Sequence, residues 1–442
     1  MSRFNAILLL AAAVAIASPA FSDDAPSSTT TRARIIGPQP PQAPQQPPAQ
    51  PEPPKWTQEE IDPATGLSRS TVVRPLREFP EVPGARPPAA GTATTPNATL
   101  TPPGATATTP AHAPSGPPHA HIALILPIAS PTLGKLAEAV RDGFAAAAKV
   151  GGKDAPPVEV MDVPDEGAAL IDACRQAQAA GAILVIAAIT RDGATALAKS
   201  DCPRQPVLAL NEPQGILPQE LPQNLFTVSL SIEREARQVA LLALDDGRRS
   251  AIVIGSPEPL ARRVQDAFER EWQRAAGEVR HVAYTGKPDD AAALRDRLEA
   301  TRGDMVFLAL DPADARAVRP YVPAVLPIYA TSLSVNPRAE AIVNLDLQGL
   351  RYVEMPWFVQ PDHPAVMAYP QPPAPMSVDQ ERLYAFGIDA YRLALHMLRG
   401  EARKSPLDGV TGRITLEAGN AFERTLTPVE IDGGHVIPVR GP

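Results

Sequence analysis

The chain has 442 residues, 44% of them hydrophobic, with a formal net charge of −8 at pH 7 and only two cysteines. The acidic balance argues against nucleic acid and anionic membrane surfaces as partners. Two cysteines are too few for a cysteine-rich zinc cluster. We therefore expect no cofactor and no metal site.

Residues 1–22 are predicted to be a secretory signal peptide. Arg3 supplies a positive start, Ala6 to Ala17 is a short apolar run, and Ala20-Phe21-Ser22 offers small residues for cleavage. The apolar run would span only ~18 Å of a ~30 Å hydrocarbon core, so cleavage after Ser22 is favoured over a membrane anchor. No cysteine for lipidation lies near this site. We expect a soluble periplasmic protein without stable membrane insertion.

Residues 23–119 contain 23 of the 53 prolines and few large apolar side chains. Such a segment cannot bury enough surface to offset its ordering entropy, so we predict a disordered proline-rich linker. One patch from Trp56 to Phe79 is more apolar. It is either a short docking segment or scattered apolar residues in a linker, and the second interpretation is favoured.

Residues 120–442 alternate buried strands with amphipathic helices, in two successive sets. This pattern is typical of parallel sheets with helices on both faces. We predict an α/β fold of two intertwined Rossmann-like lobes. The first lobe would comprise about 120–230 plus returning segments after 336, and the second about 231–335, with a cleft between them.

Functional groups of such sheets gather at the carboxyl ends of the strands. Ser130 and Thr132 also stand at a helix N-terminus, where free backbone N–H groups favour an anion, although hydroxyls there often serve only as helix caps. The polar residues that end the predicted strands are the candidate cleft groups: Ser130, Thr132, Thr190, Asn211, Ser256, Asp311 and Thr331.

Cysteine and histidine give two further expectations. Cys174 lies on the apolar face of a helix and Cys202 just before a strand, so in an oxidising compartment a disulfide is favoured over two buried thiols. Among the seven histidines only His119-Ala120-His121 is close-spaced. We expect these two side chains to be solvated at the end of the linker, not to bind a metal.

Sequence motifs of common enzymes are missing. The chain has no G-x-S-x-G elbow, no Walker loop, no G-x-G-x-x-G turn and no H-E-x-x-H zinc motif. An enzyme is therefore a poor interpretation of this sequence.

Six segments carry a resemblance to a known family. They are Ile122–Pro127 with Gly134 and the Ala139–Phe144 helix, Val207–Asn211, Met355-Pro-Trp-Phe358, the helix Arg382–Ala394, and Gly409–Leu416. Together they resemble the type I periplasmic-binding-protein fold and, within it, the penicillin-binding protein activator family of the LppC/LpoA type. The resemblance implies a non-catalytic regulator that binds a class A penicillin-binding protein, a bifunctional peptidoglycan synthase, and raises its activity.

A solute receptor of an ABC transporter is the alternative function. A receptor for an amino acid would need a carboxylate trap, possible at Ser130 and Thr190, and an ammonium partner among the strand-end aspartates. Few other groups are available, so the cleft looks lightly equipped for a small ligand.

The residues that carry the family motif are Pro356, Trp357, Tyr384, Gly387, Asp389 and Tyr391. Trp357 is interpreted as a core anchor or hinge residue in preference to a surface hot spot. Because Asp389 lies roughly 140° around the helix from Tyr384, we predict that Tyr384, Asp389 and Tyr391 cannot all be buried.

Overall fold

A computed structural model describes residues 119–152, 155–286 and 290–439. The predicted signal peptide, nearly all of the predicted linker and the patch from Trp56 to Phe79 lie outside these residues. Within them, no helix combines the length and the apolar composition needed to cross a bilayer.

Fifteen strands are assigned to the described residues: β1 (His121–Leu126), β2 (Val158–Asp162), β3 (Ala182–Ala187), β4 (Val207–Ala209), β5 (Leu225–Thr227), β6 (Ser250–Gly255), β7 (Glu278–Ala283), β8 (Met305–Ala309), β9 (Ile328–Ala330), β10 (Leu350–Glu354), β11 (Leu407–Gly409), β12 (Gly412–Leu416), β13 (Phe422–Thr425), β14 (Thr427–Asp432) and β15 (His435–Pro438). The helices are α1 (Gly134–Val150), α2 (Ala168–Ala179), α3 (Arg191–Lys199), α4 (Ile232–Asp245), α5 (Pro259–Arg274), α6 (Asp290–Ala300), α7 (Pro312–Val318), α8 (Ala341–Asn344), α9 (Pro356–Val359), α10 (Pro364–Met367) and α11 (Val378–Leu398).

Two large sheets organise the molecule. The first is five-stranded and fully parallel, in the order β2-β1-β3-β4-β5. The second is seven-stranded, in the order β15-β14-β10-β9-β8-β6-β7, and it is parallel except at β14, which pairs antiparallel with both β10 and β15. The central strands β1 and β8 are buried along their whole length, as strands covered by helices on both faces must be. The prediction of an α/β fold with two parallel sheets is confirmed.

Segments after residue 336 were expected to return to the first lobe, and only some of them do. Helix α11 packs against α1 of the first sheet, and the small sheet β11-β12-β13 joins β5 through a bridge between Thr227 and Ala421. Strands β10, β14 and β15 extend the second sheet instead. The sequence shows that these segments are strands, but the sheet they join depends on hydrogen bonds to distant strands.

Helix α11 crosses α1 closely because glycine stands at the crossing point on both helices. A Cβ on Gly143 would collide with the backbone carbonyl of Tyr384, and one on Gly387 with the carbonyl of Val140. Glycine inside a helix costs about 1 kcal/mol relative to alanine, so close packing must offset that loss. The start of α11 is fixed by a capping box between Ser377 and Gln380.

Cys174 and Cys202 form a disulfide, as predicted. It joins α2 to the segment before β4 on one face of the first sheet, with 6.1 Å between the two Cα atoms. In the chain-entropy model, closing a loop of this length stabilises the fold by about 3.5 kcal/mol. Both cysteines are buried, so the bond also forms part of the packed core.

Candidate functional site

A cavity of about 610 Å³ lies between the two lobes. The first lobe contributes Leu136 of α1 and the start of α11, and the second contributes Leu260 of α5, Pro312 of α7 and the segment 332–336. Most of the lining is apolar, and its polar members include Glu235, Ser332 and Arg382. This cavity is the cleft that the two-lobed fold predicts.

Three charged side chains, Glu235, Glu354 and Arg382, form a buried network beside this cavity, which we call the base of the cleft; Glu235 and Arg382 line the cavity, and Glu354 does not. The Ser332 hydroxyl donates to Glu235 Oε2 at 2.6 Å, and the Ser332 backbone N–H approaches the same oxygen at 3.3 Å. Arg382 Nη2 donates to Glu354 Oε2 at 2.7 Å. Glu235 and Glu354 are 3% and 1% exposed, so these interactions are shielded from water.

Burial raises the pKa of Glu235 to about 7, the positive Arg382 opposes the rise, and the negative Glu354 adds to it. Desolvation lowers the pKa of Arg382, but the carboxylates of Glu354 and Glu235 outweigh it, and the guanidinium stays charged. One cation therefore stands between two carboxyl groups. It is not free to bind the carboxylate of an amino acid.

Ser130 and Thr132 make local contacts beside the start of α1. Ser130 Oγ lies 3.4 Å from the Leu133 backbone N–H and 3.4 Å from Thr132 Oγ1. Helix α1 begins at Gly134, and its N-cap residue Leu133 makes no side-chain hydrogen bond. The two hydroxyls pair with each other beside the start of the helix.

The other candidates of the first lobe are engaged in local structure. Thr190 caps α3 by accepting from Gly193 N at 3.0 Å, and its hydroxyl donates to Glu166 Oε2 at 2.5 Å. Asn211 Nδ2 donates to the Ile189 carbonyl at 2.9 Å, and its Oδ1 accepts from Glu212 N at 2.9 Å. Asn211 lines a smaller cavity of about 190 Å³, which adjoins the large one through Leu230, Ile232 and Leu383.

Two candidates of the second lobe, Asp311 and Thr331, serve as caps, and Ser256 contacts the backbone before α5. Asp311 caps α7 by accepting from Asp314 N at 2.8 Å. Ser256 Oγ lies 3.4 Å from Glu258 N, and the fully buried Thr331 lies 3.4 Å from Leu333 N. None of the seven candidates is among the residues that line the large cavity, whereas Ser332, the neighbour of Thr331, is.

Sequence reasoning missed Glu235, Glu354 and Arg382. A signal for one of them was present, because Glu235 occupies a helical position in line with the buried residues Val239 and Ala243 of α4. A charged residue on an apolar helical face must find a buried partner or a cavity. Arg382 carries no such signal, since it ends the polar run 379–382, and the apolar neighbours of Glu354, Val353 and Met355, indicate only the end of a buried strand.

A family model described as "LppC putative lipoprotein" matches residues 94–434. The match covers the described domain apart from its last few residues. The chain belongs to the LppC family.

Curated relatives of this LppC-family chain include the penicillin-binding protein activator LpoA of Escherichia coli K12, 27% identical over 311 residues. That alignment covers 60% of this chain and 45% of LpoA. A relative of the same name from Edwardsiella ictaluri is 27% identical over 364 residues, with 72% and 52% covered. The chain thus spans about half the length of the curated relatives it matches.

Among solved structures, the LpoA (YraM) C-domain of Haemophilus influenzae, described as a regulator of PBP1A, superposes with a TM-score of 0.59 at 23% identity. The match covers 72% of this chain and 100% of that domain. A Chromobacterium violaceum protein described as a "putative branched-chain amino acid ABC transporter" has a TM-score of 0.61 at 38% identity, with 70% and 99% covered. The fold is therefore the type I periplasmic-binding-protein fold.

The LppC-family motif after β10 lies inside the protein. Pro356 and Trp357 are buried, and Trp357 Nε1 donates to Glu381 Oε1 at 2.9 Å. Glu381 also binds Arg338, whose Nε lies 3.1 Å from its Oε2. The burial of Trp357 agrees with its interpretation as a core anchor, and its indole fixes the start of α11 against the turn after β10.

The prediction that Tyr384, Asp389 and Tyr391 cannot all be buried is wrong. They are 1%, 0% and 2% exposed, because α11 is covered on several sides. Tyr391 packs edge-on against Phe144 of α1, and Tyr384 donates to the Pro370 carbonyl at 3.0 Å. An angular argument assumes one buried face, which does not hold for a helix enclosed by neighbours.

Asp389 links α11 to the β11-β12 hairpin. Its carboxylate accepts from Val410 N at 3.0 Å, and from Thr411 N and Thr411 Oγ1 at 2.7 Å each. Arg392, one turn further along the helix, approaches at 3.1 Å. Asp389 thus holds α11 to the β11-β12 hairpin, and Tyr391 packs α11 against α1. Gly387 allows α11 to cross α1 closely.

Proposed function

We propose that this chain is a non-catalytic periplasmic regulator that binds a bifunctional peptidoglycan synthase, a class A penicillin-binding protein, and raises its activity. The observation that carries the proposal is the family match over residues 94–434. Relatives at 27% identity are named activators of a penicillin-binding protein. The disulfide between Cys174 and Cys202 fits an oxidising compartment such as the periplasm.

The cleft supports a binding role without chemistry. The charged groups at its base neutralise one another, and the strand-end hydroxyls are used in helix starts. A catalytic centre would need a nucleophile or base with a free approach to a substrate. In the cavity between the lobes, Glu235 is the group with a pKa near neutrality, and its carboxylate is already bonded to Ser332.

A contact surface for the synthase forms part of the proposal. Exposed apolar side chains cluster at Ile342, Val343 and Leu345, which are 68%, 40% and 43% exposed. This segment packs beside the β14-β15 turn, where Gly434 approaches the Ala341 carbonyl closely enough to leave no room for a Cβ. Clustered apolar side chains on a surface are typical of protein-binding sites.

The test adds the purified protein to purified class A synthases of the same organism and follows glycan polymerisation and peptide cross-linking. The wild-type chain should raise both rates at micromolar concentration. An Ile342→Asp, Val343→Asp variant should lose most of the stimulation, because two charges would have to be desolvated at the contact. Leu241→Asp is the matched control, since Leu241 is 48% exposed on α4 and lies apart in sequence from this segment.

Unchanged rates with every synthase would remove the activator function from this chain and leave only the fold. Stimulation that survives in the Ile342→Asp, Val343→Asp variant would keep the function but move the contact surface elsewhere.

A second candidate function is solute binding in the cleft. The Chromobacterium violaceum match at 38% identity and the apolar lining of the cavity favour it. A ligand at about 100 times its Kd stabilises a protein by about 2.7 kcal/mol, which a thermal unfolding assay detects. We expect no stabilisation by amino acids, because Arg382 is already paired with Glu354. If a ligand raises the unfolding temperature of the wild type but not that of Leu260→Trp, whose larger side chain on α5 fills the cavity, the receptor function would be favoured.

A further inference from the structure

Three potential metal ligands meet at the amino end of the first sheet, on the edge opposite the cleft. They are His119, His121 at the start of β1, and Glu159 on the neighbouring strand β2. Residues two apart on an extended chain project to the same side, which brings both imidazoles to one carboxylate. His119 Nε2 lies 2.8 Å from Glu159 Oε1, and His121 Nε2 lies 3.4 Å from Glu159 Oε2.

The expectation that both histidines are solvated holds for His119 but is wrong for His121. The side chain of His119 is 54% exposed, whereas that of His121 is fully buried. His121 is the first residue of a strand covered along its whole length, and its ring centroid lies 4.9 Å from that of His119, with the two rings tilted by 36°. Its burial follows from its place in β1, whose six residues are all buried.

His121 presents a lone pair with no partner. Its Nδ1 lies 2.8 Å from the His119 carbonyl, which can only accept, so Nδ1 carries the proton in the neutral ring. Nε2 is then an acceptor, and within the described residues it is a buried atom without a hydrogen bond. The polar atom it faces is a carboxylate oxygen, also an acceptor. Two facing lone pairs need a cation between them.

The backbone holds this arrangement in place. His119 N donates to the Ala180 carbonyl at 3.1 Å, which ties the residue to the turn before β3. Gly181 allows this approach, because its φ is +101° and a Cβ there would lie 2.8 Å from the His119 carbonyl oxygen. The bond to Ala180 therefore holds the His119 carbonyl in the position where it accepts from His121 Nδ1.

We propose that His119, His121 and Glu159 bind a divalent transition-metal ion, zinc in particular. Two imidazole nitrogens and one carboxylate oxygen are a common zinc ligand set, and ligands of a tetrahedral zinc lie roughly 3.3 Å apart, close to the spacings here. A ligating histidine usually donates its other N–H to a carbonyl, as His121 does. His119 and Glu159 reach solvent, which leaves room for water as a fourth ligand. The ion would fasten the start of β1 to β2.

The test uses the whole chain after chelation and dialysis. Titration calorimetry with zinc chloride should give one ion per chain, zinc should raise the midpoint of thermal unfolding, and a chelator should reverse the rise. Cobalt(II) in place of zinc should give the visible absorption of a four- or five-coordinate site.

His119→Ala combined with Glu159→Gln removes two ligands from partly exposed positions, so this variant should fold. It should bind zinc at least about tenfold more weakly. The matched control is His281→Ala, because His281 forms a similar surface pair with Glu269, with Nε2 and Oε2 3.6 Å apart. That variant should bind like the wild type.

Absence of zinc binding, or binding that is unchanged in the double variant, would overturn the proposal. Nitrogen NMR of the histidine rings provides an independent check at neutral pH. If His121 is doubly protonated both with and without zinc, the cation between Nε2 and Glu159 is a proton, and the proposal fails.

Discussion

The helix α11 carries family-motif residues, and the seven candidate residues at the strand ends form what we call the rim. Polar residues of both regions form hydrogen bonds, but the bonded partners differ in how far away they lie along the chain. On α11, Asp389 reaches a hairpin 21 and 22 residues further along the chain, and Trp357 is bonded to Glu381, 24 residues away. On the rim, Asp311 and Ser256 bond only to backbone groups within three residues, although Thr190 and Asn211 also bond to residues 24 and 22 positions away. Long-range bonds of buried groups determine how the elements assemble, whereas local caps affect one helix start. Removing a long-range bond should therefore lower the free energy of unfolding more than removing a local cap.

The largest effect is expected for Asp389→Ala. The change leaves the N–H groups of Val410 and Thr411 buried without an acceptor, and Arg392 keeps only its bond to the Asp408 carbonyl. Losing one side of a buried charged network costs about 3–5 kcal/mol of unfolding free energy. Urea denaturation measures the loss. Asp379→Ala on the same helix is the control, because Asp379 is 87% exposed, and it should change little. Equal losses in both variants would contradict the distinction between motif and surface.

Glu235→Gln tests the base of the cleft through pH. The folded-state pKa of Glu235 is about 7 and its ordinary value is 4.5, so the folded protein binds the proton more tightly. This group therefore contributes stability below pH 4.5, and that contribution is lost as pH rises through 7. Between pH 5 and 8 the unfolding free energy of the wild type should fall by about 2–3 kcal/mol relative to that of the Glu235→Gln variant. Parallel stability curves for the two proteins would show that Glu235 titrates normally.

A smaller effect is expected for Thr190→Ala at the rim. The substitution removes the cap of α3 and the hydrogen bond to Glu166, and a lost cap costs about 1 kcal/mol. Thr190→Ser retains the hydroxyl and should recover most of the stability in the same denaturation assay. If instead the two variants are equally destabilised, packing of the threonine methyl group is responsible, not the cap.

The smallest effect is expected for Ser256→Ala. Its hydroxyl makes one long contact, 3.4 Å to Glu258 N, on a half-buried side chain. Substitutions of this kind usually change unfolding free energy by less than about 0.5 kcal/mol. A loss as large as that of Thr190→Ala would mean that Ser256 has a partner in the cleft, which would favour a ligand-binding rim.

Local sequence predicted the elements well and their long-range partners poorly. Buried strands such as β1, β3 and β8 alternate with helices as predicted, because continuous apolar runs bounded by turns leave few alternatives. The cleft was expected from the two sets of strands, and a cavity lies there. The residues at its base were not, because Glu235, Glu354 and Arg382 are far apart in sequence and meet only where α4, β10 and α11 converge.

The sequence by itself determined the family, the alternation of strands and helices, and the pairing of Cys174 with Cys202. These depend on local periodicity, on motifs of adjacent residues and on there being only one possible pair of cysteines. Tertiary structure decided which sheet β10 and β14 join, that Tyr384, Asp389 and Tyr391 are all buried, and that His121 faces Glu159 without a hydrogen bond. Burial and pairing of this kind depend on what covers a residue from elsewhere in the chain, which periodicity does not reveal.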